Sequence, residues 1–211
     1  MTINLLSIGH SNLPAERLVQ MLQNAGVSAV ADVRSVPASR FCPWFSREPL
    51  AARLARGGIA YAFHGGALGG RPRDQGLYCD GVADYEAMAM QADYRAGLDQ
   101  LIEVAKNATV CMLCAEREPL DCHRCLLLAR SLREHGLNVG HILHNGMIES
   151  HTATEQRLLA LDAESCNLSC NLSCDLFASG QPMRLAAAYR RRARVMAYRR
   201  KTPTLRMTGP R

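Results

Sequence analysis

The chain has 211 residues, a length that suits one domain with an appendage, and its composition is that of a globular protein with ample aliphatic side chains for a core. No stretch is long and apolar enough to span a bilayer, and the first residues do not resemble a secretory signal, so we expect a cytoplasmic protein without a membrane segment. In that compartment the nine cysteines are expected to be free thiols rather than a disulfide framework.

The net charge of +6 is concentrated at the C-terminus. Residues 181–211 hold ten Lys or Arg and no acidic residue, which leaves 15 basic and 19 acidic residues before them. Such a segment could contact nucleic acid phosphates. The favoured interpretation is an amphipathic helix with solvated arginines that packs on the domain through an apolar stripe, formed by Leu185, Tyr189, Ala193 and Met196.

Apolar periodicity predicts alternating strands and helices in the first half of the chain. A strand over residues 3–8 leads to a helix that begins at Asn12 and Pro14 and ends near Gly26. A second strand covers residues 27–33, and a helix capped by Ser46 follows and ends at Gly57. The third strand covers residues 59–63, and the polar, glycine-rich segment 64–81 after it is a candidate binding loop or lid.

The second half continues the alternation, with a long helical region over about residues 83–106, a strand over 109–114, a helix over 122–135 and a strand over 139–143. Helices over 154–161 and 183–200 follow, and a repeat containing Cys166, Cys170 and Cys174 separates them. These elements predict an α/β fold with a mostly parallel sheet flanked by helices on both faces and a C-terminal helical appendage. We expect residues 1–148 to form the α/β domain and residues 149–211 a helical extension with the cysteine repeat and the basic tail.

Polar side chains follow the predicted strands at the point where each strand ends. The carboxyl ends of parallel strands share one edge of the sheet, which is where open α/β sheets bind ligands. We therefore expect a pocket there for an anionic small molecule, lined by His10, Ser11, Asp32, Arg34, Arg40, Cys114, Glu116, Cys122, His123 and Arg124. Of these, Ser11, Arg34, Arg40 and Arg124 are the expected substrate-binding residues, because hydroxyl and guanidinium groups suit phosphate or carboxylate.

The expected catalytic residues are His10, Asp32, Cys114, Glu116, Cys122 and His123. Cys114 and Cys122 are candidate nucleophiles, since a helix start and the neighbouring basic residues favour a thiolate. Glu116 or Asp32 could act as a general acid or base. The sequence does not decide between thiol and carboxylate chemistry, and a disulfide between the two thiols is a weaker alternative because they do not form a Cys-x-x-Cys pair.

A metal site is a further alternative, since Cys111-x-x-Cys114 and Cys122-x-x-Cys125 resemble two zinc half-sites. The predicted strand argues against it, because residues three apart on a strand point to opposite faces. We therefore expect no metal ligands, and a zinc-stabilised structural protein remains an alternative. The sequence identifies no cofactor.

The motifs together resemble the uncharacterised "domain of unknown function 488" family. The matching pieces are Ser7-Ile-Gly-His-Ser-Asn12, Asp32-Val-Arg-Ser-Val-Pro37 with Ser39-Arg40, Leu68-Gly-Gly70, Cys114-Ala-Glu116, Pro119, Cys122-His-Arg124 and His141-Ile142. This resemblance implies a compact α/β domain whose motif residues gather into one pocket, but it implies no settled activity. The chain departs from the family pattern at His64-Gly-Gly66 and in its cysteine repeat.

The expected function is therefore an enzyme-like domain with a polar pocket at the carboxyl edge of the sheet for an anionic, phosphorylated or nucleotide-like ligand. A nucleic-acid-binding module that uses residues 181–211 is the alternative from a different class. Neither the reaction, the substrate nor the oligomeric state follows from the sequence.

Overall fold

A computed structural model describes residues 5–169 and 180–200, with the backbone alone described for residues 166–169. It contains a six-stranded sheet in the order β3-β2-β6-β1-β7-β8 and a separate two-stranded hairpin, β4-β5. The strands are β1 Leu5–Gly9, β2 Ala29–Asp32, β3 Ala60–Phe63, β4 Tyr78–Cys79, β5 Val82–Ala83, β6 Val110–Cys114, β7 Val139–Ile142 and β8 Ile148–Ser150. Within the described ranges, no helix has the length and apolarity needed to cross a membrane.

The main sheet is parallel except at one edge. The β3-β2, β2-β6, β6-β1 and β1-β7 pairs are parallel, whereas β8 runs antiparallel to β7. The predicted fold class is therefore confirmed. The short strand β8 is an addition that the apolar pattern did not predict, because its three residues are half-buried or exposed at the edge of the sheet.

Helices cover both faces of the sheet and bury a separate apolar core on each. The helices are α1 Ala15–Asn24, α2 Arg47–Arg56, α3 Gly65–Leu68, α4 Tyr85–Ala89, α5 Ala92–Ala105, α6 Arg130–Glu134, α7 His151–Ser169 and α8 Gln181–Met196. A π-helix, Arg124–Ala129, leads directly into α6. Helices α1 and α2 cover one face through Leu18, Leu22, Leu50 and Leu54, while α5, the π-helix and the C-terminal helices cover the other.

The long helical region predicted over residues 83–106 consists of two helices. Helix α4 ends just before Met90, and α5 begins just after Gln91. The backbone of Gln91 is extended, so the helix is interrupted there. In one continuous helix, the buried residues Tyr85 and Leu98 would point about 140° apart. The break allows both segments to bury their apolar side chains against the domain.

The segment over residues 64–81 is more ordered than the predicted loop, because it contains α3 and the first strand of the β4-β5 hairpin. The hairpin turns through Asp80 and Gly81, which both have positive φ, as a tight two-residue turn requires. An Asp-Gly pair in a sequence favours such a hairpin turn, and the prediction of a single loop did not use it.

The predicted last helix extends too far, since α8 ends at Met196 and Ala197 is extended. The chain then pairs with the hairpin: the Ala83 N–H donates to the Tyr198 carbonyl, and the Arg200 N–H donates to the Gly81 carbonyl. The backbone donors and acceptors along β5 draw this segment into an extended conformation. The preceding helix α7 is longer than predicted, and the cysteine repeat lies outside the residues whose side chains are described.

The C-terminal helices share the core of the α/β domain. Leu158 on α7 and Ala188 and Tyr189 on α8 are buried in the same apolar cluster as Val110 and Met112 of β6. The segments before and after the expected boundary at residue 148 therefore pack against each other in one core.

Candidate functional site

The carboxyl end of β6 lies at the point where the sheet connections change face. Strand β6 lies between β1 and β2, whose following helices α1 and α2 cover one face. The helix that follows β6 covers the opposite face. Adjacent strands whose connections leave on opposite faces open a crevice at their carboxyl ends, and this crevice is the usual ligand site of open α/β sheets.

Four side chains of predicted site residues meet at this point. Cys114 is the last residue of β6, Glu116 follows it, and Cys122 and His123 come just before the π-helix. The Glu116 Oε2 atom lies 2.8 Å from Cys114 Sγ and 3.1 Å from Cys122 Sγ. The His123 Nδ1 atom lies 3.6 Å from the first sulfur and 3.7 Å from the second. We call these residues the thiol cluster.

Local structure explains how residues eight or nine apart converge. The segment after β6 turns through a short 3₁₀-helix, Pro119–Asp121, whose start is capped by the Glu118 carboxylate accepting from the Leu120 N–H. The π-helix that follows widens the backbone, a geometry that recurs at functional sites. The turn thus returns Cys122 and His123 to the end of the strand that carries Cys114.

The His123 ring has a fixed orientation. Its Nε2 atom donates to the Val33 carbonyl oxygen at 3.0 Å, so the Nδ1 atom faces the two sulfurs. Gly70 packs directly on the ring, and a methyl group there would lie 2.7 Å from the ring Cγ atom. A side chain at residue 70 would therefore displace the imidazole.

Arg124 supports the cluster from behind. Its guanidinium is fully buried and donates to the carbonyl oxygens of Glu116 and Arg117, at 2.6 and 2.9 Å. Gly9 allows this loop to approach β1, because a Cβ atom there would lie 1.7 Å from the Glu116 carbonyl oxygen. None of the described ion pairs joins Arg124 to a carboxylate, and its positive charge lies close enough to Cys114 and Cys122 to interact with both thiols.

Burial and neighbouring charges shift the titration of the cluster. Burial raises the pKa of the Cys114 thiol well above its ordinary value. Burial acts on Cys122 in the same direction, but the hydrogen bond with Cys114 and the charges of Arg124 and His123 hold its pKa well below the ordinary value. Burial and then the Cys122 charge raise the pKa of Glu116. For His123, burial lowers the pKa but the Cys122 charge outweighs it and raises it.

A second group of predicted residues lies beside the cluster. The buried Asp32 carboxylate accepts two hydrogen bonds from the Arg34 guanidinium, at 2.6 and 2.9 Å, one from the Arg34 backbone N–H at 3.1 Å and one from the Tyr61 hydroxyl at 2.7 Å. Arg34 also donates to the Phe45 carbonyl and to His10 Nε2, so most of its N–H groups are engaged. Burial lowers the pKa of His10 to about 4, and the Arg34 charge acts in the same direction.

A cavity of about 220 Å³ opens above the thiol cluster. Cys114, Glu116, Cys122 and His123 form its floor, and Arg34 contributes to its wall. The other expected site residues do not line it: His10, Asp32 and Arg124 are buried behind it, Ser11 is half-buried beside the end of β1, and Arg40 is exposed.

The cavity rim includes residues that the sequence analysis did not select. They are Ser35, Val36, Gly70, Arg71, Tyr85, Ala115, Asp121, Met196 and Tyr198. Arg71 directly follows the glycine pair of the candidate binding loop, so its position in the sequence could have predicted a place at the ligand site. Met196 and Tyr198 come from the segment after α8, and no local sequence pattern connects that segment with the sheet edge.

Comparison with known proteins agrees with the motifs. No curated protein and no solved structure matches the chain. The model of one family, described as "Domain of unknown function DUF488", matches residues 14–131, which include β2, β6 and the thiol cluster. Since this match covers more than half of the chain, the protein belongs to the DUF488 family.

Proposed function

We propose that the protein is an enzyme that binds a small anionic molecule, of the phosphorylated or nucleotide-like class, in the cavity at the carboxyl edge of the sheet. The observation that carries this proposal is the convergence of two thiols, a carboxylate and an imidazole on the floor of one cavity at the point where the connections change face. Buried groups of this kind seldom cluster for packing alone, and such clusters favour a catalytic role.

Arg71 is the cation that we assign to the ligand. It lies on the cavity rim, and it has no carboxylate partner among the residues that the structure describes. Its guanidinium stacks on the Tyr198 ring at 4.8 Å, which holds the charge at the cavity entrance. Arg34 is less available, because its N–H groups are occupied by Asp32, Phe45 and His10.

The cavity size limits the ligand class. A volume of about 220 Å³ is smaller than pockets for drug-sized ligands, which begin near ~300 Å³. A phosphorylated metabolite or the phosphate end of a mononucleotide suits this space better than a dinucleotide. Glu116, at the cavity floor, is the group that we assign to proton transfer.

Calorimetric titration with inorganic phosphate, pyrophosphate and adenosine monophosphate tests the binding step. Arg71→Gln should weaken binding of the best probe about 10-fold or more, because a charged hydrogen bond contributes about 1.5–3 kcal/mol. Arg73→Gln is the matched control, since Arg73 is exposed on the same loop and does not line the cavity. Equal affinities in the wild type and Arg71→Gln, or no binding of any probe, would refute the proposal.

The nucleic-acid alternative receives less support from the described part of the basic segment. Arg190, Arg191 and Arg192 on α8 form ion pairs with Glu86, Asp162 and Asp121. These pairs hold three of the helix arginines against the domain, as the amphipathic interpretation expects. A phosphate-binding face would instead present such arginines without protein partners.

A further inference from the structure

The thiol cluster contains four atoms that could also serve as ligands of a metal ion. Two sulfurs, one imidazole nitrogen and one carboxylate oxygen lie within 4.8 Å of one another. In a tetrahedral zinc site with Zn–S near 2.3 Å and Zn–N near 2.0–2.1 Å, sulfur and nitrogen ligands are separated by about 3.6 Å. The His123 Nδ1 atom lies 3.6 and 3.7 Å from the sulfurs of Cys114 and Cys122. These separations fit one ion placed between the three atoms.

We propose that Cys114 Sγ, Cys122 Sγ and His123 Nδ1 bind a zinc ion whose fourth position opens into the cavity beside Glu116. This inference deepens the proposed function, since the ion would lie on the floor of the same cavity, and it rests on that function only for the role of the open position. Three protein ligands and one open position are the pattern of catalytic rather than structural zinc.

The surroundings of the three ligands match those of a metal site. A metal-bound histidine almost always donates its other ring N–H to an acceptor that fixes the ring. Here His123 Nε2 donates to the Val33 carbonyl oxygen, and Gly70 packs on the ring. The backbone N–H of Arg124 lies 3.5 Å from Cys122 Sγ and donates to it, as hydrogen-bond donors next to metal-bound ligands do.

The charges also fit. Two thiolates cancel the charge of one zinc ion, and the remaining charged groups are the Arg124 guanidinium and the Glu116 carboxylate. Arg124 is fully buried, and its Nε atom has no hydrogen-bond partner among the described residues. A buried cation without an ionic partner is costly, and thiolates beside it reduce that cost.

Glu116 is assigned to the open position and not to the ligand set. Its Oε2 atom lies 2.8 and 3.1 Å from the sulfurs, closer than the roughly 3.5 Å expected between ligands around one tetrahedral ion. Glu116 therefore lies beside the three ligands and next to the open position. There its carboxylate can accept a proton from a water bound at that position.

Within the described ranges, the other cysteine and histidine groups do not offer the same geometry. Cys111 packs in the core under α1 and α2, on the face of the sheet opposite to Cys114, so this pair does not form the half-site against which the strand geometry argued. Cys125 lies near His141 and His151. All four ring nitrogens of these histidines are already used in hydrogen bonds, to Ser7, to each other and to Tyr189.

Metal binding is tested on the full-length protein after removal of bound metal with a chelator. Elemental analysis after zinc reconstitution should give one zinc per chain. Cobalt titration should give the thiolate-to-cobalt charge-transfer absorption and the intense visible bands of a tetrahedral site. Cys114→Ser, Cys122→Ser and His123→Asn should each weaken zinc binding by about 100-fold or more, measured by competition with a chromophoric chelator. Loss of a residue that only hydrogen-bonds a metal ligand typically weakens binding by about 10–100-fold.

The controls are Cys79→Ser, at an exposed cysteine, and Cys125→Ala, at a buried cysteine outside the ligand set, and both should keep full zinc affinity. Glu116→Gln should keep the zinc and the cobalt spectrum, and loss of the metal would overturn the three-ligand assignment. Circular dichroism identifies variants that fail to fold. If a ligand variant fails to fold, the cobalt spectrum of the wild type tests the proposal instead. Absence of the thiolate-to-cobalt charge-transfer band would exclude thiolate ligation.

The two proposals fail separately. Absence of stoichiometric zinc from the folded wild type would overturn the metal site, even if phosphate binding depends on Arg71. Zinc binding that depends on the cluster, together with no binding of any anionic probe, would support the metal site and overturn the proposed ligand class.

Discussion

A methyl group at residue 70 would lie 2.7–2.9 Å from three atoms of the His123 side chain, so the orientation of the imidazole depends on one glycine. We expect Gly70→Ala to lower the free energy of unfolding by about 1–3 kcal/mol, as overpacking of a dense site does. Gly66→Ala is the matched control, because nothing lies within 4 Å of a Cβ atom there and alanine favours helix α3. Urea denaturation measures both, and equal stabilities would contradict the packing argument.

The ion pair between Asp32 and Arg34 gives the next prediction at this scale. Both side chains are buried, and the carboxylate is the only acidic partner of Arg34 among the described ion pairs. Asp32→Asn should lower the free energy of unfolding by about 3–5 kcal/mol, because it leaves a buried guanidinium without its counter-charge. Tyr61→Phe removes only a hydroxyl from the same carboxylate and should cost about 1–2 kcal/mol. Similar costs for the two variants in urea titrations would refute the assigned importance of the pair.

The sequence predicted the four residues of the thiol cluster because each lies at the end of a strand or the start of a helix. It could not predict the direction of the long side chains. Arg124 was expected to face an anion, but its guanidinium turns toward two main-chain carbonyls. Arg71 was not expected and lines the cavity. A guanidinium reaches several ångströms from its Cα atom, so its sequence position alone does not fix which groups it contacts.

Single elements were predictable where the apolar pattern extends over several turns or a complete strand. Strands β1, β2, β6 and β7 follow from continuous apolar runs, because buried parallel strands are apolar on both sides. The edge strand β3 also has an apolar run, although its residues are half-buried or exposed. The break between α4 and α5 and the extended segment after Met196 depend instead on contacts with distant elements. Such tertiary contacts override local propensity.

Helix α8 is attached to the sheet through a chain of buried hydrogen bonds. Ser7 contacts His141, His141 contacts His151, and the Tyr189 hydroxyl lies 2.9 Å from His151 Nε2 and 3.2 Å from Glu155 Oε1. We expect Tyr189→Phe to lower the free energy of unfolding by about 1–3 kcal/mol, because two buried polar groups lose their partner.

Tyr198→Phe is the control for this attachment, since the Tyr198 ring is more exposed and its hydroxyl has no described hydrogen bond. Its free energy of unfolding should stay within about 0.5 kcal/mol of the wild type, as for most surface changes. Thermal and urea unfolding of both variants provide the measurement. A cost of Tyr189→Phe no larger than that of Tyr198→Phe would show that apolar packing alone holds α8.

At the scale of the whole molecule, alternating strands and helices specified the α/β class but not the order of strands. Strand β6 is inserted between β1 and β2, and this insertion creates the crevice that the cavity occupies. Every parallel strand carries a similar apolar run, so periodicity does not distinguish a central position from the others. The prediction that the polar ends of the strands share one edge of the sheet depends only on the strands being parallel. It could therefore be made without knowing the order of the strands.

Three buried histidines make the stability of the molecule depend on pH. Burial lowers the pKa of His10 and of His151 to about 4, and burial together with the His151 charge lowers that of His141 well below its ordinary value. The unfolded chain takes up protons at these rings below about pH 6.5. The folded chain takes them up only near pH 4 at His10 and His151, and well below the ordinary histidine pKa at His141. The stability that depends on these three neutral rings is therefore complete above about pH 6.5 and falls as the pH drops toward 4, by up to about 1.4 kcal/mol per pH unit for each histidine.

Urea unfolding between about pH 7 and pH 4 measures this slope. His151→Gln should lower stability at neutral pH, since it removes two buried hydrogen bonds, yet its slope should be shallower than that of the wild type by about 1.4 kcal/mol per pH unit. His135→Gln is the control, because His135 is exposed, and its slope should equal that of the wild type. A slope unchanged by His151→Gln would mean that this ring takes up its proton at the same pH in the folded and unfolded chains. A charged His151 donates from both ring nitrogens, so its hydrogen bond with His141 would have to reverse direction.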